Sequence, residues 1–124
     1  MNRKLKIAAL VASAASACAG LGREARHQAT ERLEERGVET RALAVESGGA
    51  LTFVNADARP HQIYSPDCGE LSSTQLQPGQ SYTTRLGAGP KVCHFQDLFA
   101  PLASDYFGVV EVSQDPRDAF PTTG

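Results

Sequence analysis

No stretch of this chain has the roughly 20 consecutive apolar residues that a membrane-spanning helix needs; the uncharged run Ile7 to Ala17 has 11. There is no excess of basic charge either. Twelve Lys and Arg stand against 14 Asp and Glu, for a formal charge of -2, which removes the electrostatic basis for nucleic acid as a partner. Nor is there a Cys-x-x-Cys pair for zinc or a glycine loop of the phosphate-binding kind. Ser65, Ser72 and Ser73 have no base at a motif-like spacing, so a hydrolase triad is not expected. Asp57, Asp67, Asp97 and Asp105 fall near expected loops without a spacing that implies acid–base work, and are read as solvated. Asp97 has a structural alternative, as a cap for the loop that follows it. These absences point away from an enzyme. A chain of 124 residues has room for one domain.

What is present begins with an export signal. Asn2-Arg3-Lys4-Leu5-Lys6 is basic, Ile7 to Ala17 is apolar and small, and Ala15-Ser16-Ala17 precedes Cys18. Ala-Ser-Ala-Cys resembles a bacterial lipobox, although Ala15 stands where leucine is usual. The expectation is a signal peptide over 1–17, a lipidated Cys18, and attachment to the membrane through that lipid only. Ordinary cleavage after Ala17 is the alternative. The protein is then exported to the periplasmic side of a bacterial envelope. Residues 1–17 contain three basic residues and no acid, so the remainder carries a formal charge of -5.

Residues 18–37 are expected to form the anchor and a linker. Arg23 to Arg36 mixes both charge signs, favours helix by composition and lacks an apolar stripe to dock it, so a solvated tether is expected. His27 is read as an exposed linker residue. From Val38 the texture changes to short, half-alternating segments split by turns. VETRALAV (38–45) and ALTFVN (50–55) flank Ser47-Gly48-Gly49, and HQIY follows from His61. Pro78-Gly79 precedes SYTTRL (81–86), Gly87 to Pro90 precedes KVCHF (91–95), and FGVVEV (107–112) comes last. This spacing of turns predicts an all-β antiparallel sandwich over 38–113, with 114–124 as a tail. The aromatic residues of these segments are assigned to packing, and Asn55 to pinning neighbouring loops.

Four pieces in order resemble the cupredoxins, the blue copper proteins: TFVNAD (52–57), RPHQIYS (59–65), LQPGQSYTTRL (76–86), and KVCHFQD (91–97) followed by FGVVEV. The resemblance implies a Greek-key sandwich with a mononuclear copper site that transfers single electrons. Such a site takes two imidazoles and a thiolate, with a weak axial ligand. His61 and Cys93 match the first histidine and the cysteine. Gln96 stands where the second histidine commonly falls, His94 is the nearest imidazole, and the only methionine is Met1. Adjacent strand residues face opposite ways, so His94 joins Cys93 at a metal only if the strand bends.

Cys68 opens a competing reading by analogy with plant members of the family, in which a cysteine after the histidine strand forms a disulfide near the copper site. A Cys68–Cys93 disulfide would close a loop of 25 residues, add roughly 3 kcal/mol and consume the thiolate. The two expectations are a monomeric binding or structural module that meets an envelope protein, and a copper carrier built on His61, Cys93 and His94 with Gln96 or Cys68 assisting.

Overall fold

A computed structural model describes residues 24–115. The expected signal peptide, Cys18 and the tail from 116 onward lie outside the described residues. Seven strands make up the fold: β1 (Arg26–Glu34), β2 (Gly37–Val38), β3 (Ala42–Asn55), β4 (Ile63–Tyr64), β5 (Ser81–Arg85), β6 (Lys91–Asp97) and β7 (Gly108–Val112). A 3-10 turn, Ser104–Tyr106, stands before β7. The order of neighbours is β2-β1-β3-β7-β6-β4, with β5 added on β3.

β3 joins the two layers of the sandwich. Its first part, Ala42–Val45, runs parallel to β7, while Ala50–Asn55 pairs with β1 on one side and β5 on the other. Ser47-Gly48-Gly49 was expected to separate two strands; instead one strand of 14 residues bends through it. Gly48 at φ 77 allows the bend, a conformation that residues with a Cβ rarely adopt. Val38 is then left to the short β2 and is not part of the following strand.

The expected tether is β1. Ala29, Glu31 and Leu33 alternate on its inner face, opposite Leu51, Phe53 and Asn55, while Thr30 and Arg32 face water. A tether reading fails because a period of two runs through this segment, concealed by an acid at the central inward position. The domain therefore begins near Arg26 and not at Val38. At the other end, Gln114 bridges Gly89 and Asp115 is 8% exposed, so the first residues of the expected tail belong to the fold.

Alternation in β6 places Cys93, Phe95 and Asp97 inward and His94 outward. Between the layers Phe53 meets Phe95 edge-on with ring centroids 5.1 Å apart, and Leu51, Ile63, Leu71, Val110 and Leu33 complete the core. Gly108 on β7 lets the Phe95 ring pack directly against the backbone. A Cβ there would lie 2.4 Å from Phe95 Cζ. Gly108→Ala is therefore expected to lower stability by about 1–3 kcal/mol through overpacking. A urea midpoint equal to wild type would contradict this packing.

Candidate functional site

The site is assembled at one end of the sandwich by a buried asparagine. Asn55, at the end of β3, donates from Nδ2 to the carbonyls of Arg59 (2.8 Å) and Leu76 (2.9 Å), and its Oδ1 accepts from the Asp57 N–H at 2.9 Å. The loop 56–61 is thereby folded back on Leu76, whose main chain pairs with that of His61. Pinning of loops by Asn55 was expected. What this fixes in place was not.

His61, 2% exposed, lies between two aspartates. Asp57 Oδ2 is 2.8 Å from His61 Nε2, and Asp97 Oδ2 makes a short contact with Nδ1. Both ring nitrogens thus face a carboxyl oxygen, an arrangement that an imidazolium, with a donor at each nitrogen, would satisfy. Asp97 is fully buried at the end of β6. Its Oδ1 accepts from the N–H groups of Gln62 (2.9 Å) and Phe99 (3.0 Å), so it does cap the loop after β6. Asp97 and Asp57 were both expected to face solvent; instead each is buried against the His61 ring, and Asp57 is paired with Arg59 as well.

Arg59 completes the group. Its Nε donates to Asp57 Oδ2 at 2.9 Å and its Nη2 to Tyr106 Oη at 3.1 Å and to the Glu35 carbonyl at 3.0 Å. The Tyr106 ring lies 4.8 Å from His61, and its hydroxyl donates to the Glu34 and Glu35 carbonyls. Arg59 and the His61 ring thus face the side chains of Asp57 and Asp97. Burial raises the Asp57 carboxyl, but hydrogen bonds from His61, the Ala58 N–H and Arg59 outweigh it and hold the group below the usual carboxylate range. Burial, reinforced by the Asp57 charge, raises the Tyr106 phenol. A cleft of about 230 Å³ lined by Arg59, Pro60, His61, Asp97, Phe99 and Ala100 lies over this group.

The structure does not bring the four expected metal ligands together. Cys93, fully buried, is bonded to Cys68 as a disulfide. It lies four residues before Asp97 on the same face of β6, about 13 Å along the strand. The side chain from β6 that reaches His61 is a carboxylate, not a thiol. His94 is on the outer face, as alternation required. Its Nδ1 is 2.7 Å from Asp67 Oδ2, its N–H donates to Asp67 Oδ1 at 3.0 Å, and Ser65 Oγ donates to the same oxygen at 2.8 Å. Hydrogen bonds from His94, then from Ser65, bring Asp67 down to about 2. Gln96 is also outward, opposite Tyr64 of β4. Asp105 is an exposed partner of Arg41.

The residues present do not fit a copper ion. Asp57 and Asp97 meet opposite edges of one imidazole, so a single ion on either nitrogen cannot reach both. The cysteine sulfur is spent in a disulfide. Among the described residues no group of three His, Cys, Asp or Glu side chains is arranged to hold a metal.

Solved structures share this fold. Purple cupredoxin from Nitrosopumilus maritimus is 22% identical with a TM-score of 0.57, covering 68% of this chain and 99% of that one. Auracyanin from Roseiflexus castenholzii is 20% identical with a TM-score of 0.60, over 73% of this chain and 99% of that one. A methionine-to-alanine mutant of amicyanin in its Cu(I) form is 23% identical with a TM-score of 0.53, over 73% and 86%. At these identities they establish the fold, which is the cupredoxin fold. No curated protein matches the sequence significantly.

The family model of peptidyl-tRNA hydrolase PTH2 matches residues 2–95, and by the extent of that match the chain belongs to that family. Match and fold disagree in extent. The match starts outside the described residues, stops at Phe95 inside β6, and omits Asp97 and β7, both of which the fold needs. The geometry of the fold, not that match, therefore carries the functional argument.

Removing one partner from a buried ion pair leaves an uncompensated charge at a cost of roughly 3–5 kcal/mol. Asp97→Asn and His61→Ala are each expected to destabilise the domain on that scale in urea at pH 7. Because Asp57 is lowered in the folded state, its contribution is present above the unfolded carboxylate pKa and is lost as pH falls through its folded value. Asp57→Asn should therefore flatten the acid limb of stability against pH. Unchanged midpoints and an unchanged acid limb would show that the group holds nothing together.

Proposed function

We propose that this chain is an exported, non-enzymatic binding or structural module of the bacterial envelope, built on a cupredoxin fold without a working copper centre. One observation carries the reading: both ring nitrogens of His61 are engaged by Asp57 and Asp97, and Cys93 is engaged by Cys68. A redox metal site needs donor atoms free to converge on one ion. Here the two nitrogens of His61 and the sulfur of Cys93 already have different partners. The loop beside the cleft supports docking of another envelope protein, since Leu98, Phe99 and Leu102 are 43%, 49% and 95% exposed. Export and the lipid anchor rest on the basic, apolar and Ala-Ser-Ala-Cys segments at the start of the chain.

A second reading is favoured by the fold itself, since one of the matched structures is a Cu(I) form. In that reading the chain carries copper or electrons, using His61, Cys93 and a third ligand, His94 or Gln96.

Adding Cu(II) to the purified full chain separates the two. The first reading expects no intense visible thiolate-to-copper band, and no free thiol beyond that of Cys18 under denaturing, non-reducing conditions. It also makes a sharper claim about Cys68→Ser. This variant should lose roughly 3 kcal/mol with the crosslink and expose the Cys93 thiol, yet still give no band, because that thiol is far from His61. A visible band in either protein, abolished by Cys93→Ser, would establish the copper reading instead.

A further inference from the structure

Glu31 is fully buried on the inner face of β1, opposite Phe53 of β3. Its Oε1 accepts the Thr40 N–H at 2.9 Å, while Oε2 has no hydrogen-bond partner among the described residues. The surroundings are poor in positive charge. From β1 itself come Glu34 and the main-chain N–H of Arg32, whose guanidinium instead pairs with Glu34 at 3.4 Å. From the segment joining β2 to β3 come Glu39 and the Thr40 N–H. β2 presents Gly37 and Val38, and β3 presents Leu51, Phe53 and Asn55, none of them charged. Burial is the largest influence and raises the carboxyl. The two N–H groups oppose it, the Glu39 and Glu34 charges reinforce it, and the group comes to about 7.

The position of Glu31 connects it to the site. The bond to Thr40, with the Glu39 N–H on the Arg32 carbonyl at 2.9 Å, secures the chain as it turns from β1 through β2. A few residues on, the Glu34 and Glu35 carbonyls receive the Tyr106 hydroxyl, and Glu35 also receives Arg59, the residue that holds Asp57 against His61.

We propose that Glu31 is a pH latch for the β1–β2 corner: protonated, it keeps the corner closed; ionised, it loosens the corner and the Tyr106–Arg59 brace that rests on it. A carboxyl whose folded value is raised stabilises the closed form at low pH. That contribution is complete below the unfolded carboxylate pKa of about 4.3 and is lost as pH rises through about 7. Opening therefore increases between mildly acidic and neutral conditions and levels off above them. This device goes beyond the proposed envelope role and does not depend on it.

Amide hydrogen exchange on the full chain, corrected for intrinsic rates, tests the latch at pH 5 and pH 8. Protection of the amides of 32–40 is expected to fall at least tenfold between the two, a fold-change within that implied by the raised carboxyl, while β5 amides (81–85) change little. Glu31→Gln, or Glu31→Met should the first variant fold poorly, is expected to remove the difference. Equal protection of 32–40 at both pH values in wild type, or an equal fall in the variant, would overturn the proposal.

Discussion

Moving an isolated carboxylate into a protein interior costs several kcal/mol, and this fold buries two of them at one end. They are tolerated because one imidazole lies between them and meets each with a ring nitrogen. Much else follows from that arrangement. Asn55 folds the 56–61 loop so that His61 and Asp57 arrive from one side, while β6 delivers Asp97 from the other. Asp97 then holds the chain after β6 through the Phe99 N–H and the chain beside His61 through the Gln62 N–H. Arg59 and Tyr106 tie the group to the end of β1. The same contacts engage both nitrogens of the His61 ring.

The disulfide acts farther down β6. Cys68 belongs to the loop between β4 and β5, a long segment with little strand pairing, and its bond to Cys93 fixes that loop to a central strand of the layer. Small sandwiches bury a limited fraction of their surface, so a crosslink contributes materially. Ser65 and Asp67 extend this anchorage to the outer face, where Asp67 holds the His94 main chain and ring. Of the residues that suggested a copper site, His61, Cys93 and His94 thus each have a structural partner.

Much of the fold was legible in the sequence because β5, β6 and β7 alternate cleanly and their turns carry Pro and Gly. β1 was not legible: an acid at its central inward position makes the segment look uniformly charged, and composition then suggests a tether. The bend of β3 was mistaken for a break because Ser-Gly-Gly serves either purpose. At the site, His61 and the Cys68–Cys93 bond were both visible as candidates. The partners of His61 were overlooked because acids near loops usually face water. Two signals pointed to them: Asp57 precedes His61 by four residues just after a buried Asn55, and Asp97 shares the inward face of β6 with Cys93. Whether Cys93 or Asp97 reaches the imidazole depends on the register of β4 against β6, and strand periodicity alone does not determine that.

The most direct test of this account is the protonation and exchange behaviour of the His61 ring, read from long-range nitrogen–proton correlations at neutral pH. The account predicts protons on both Nδ1 and Nε2, slow exchange of both with solvent, and signals that persist when Cu(II) is added. A bare ring nitrogen, or loss of the His61 signals on adding Cu(II), would contradict it.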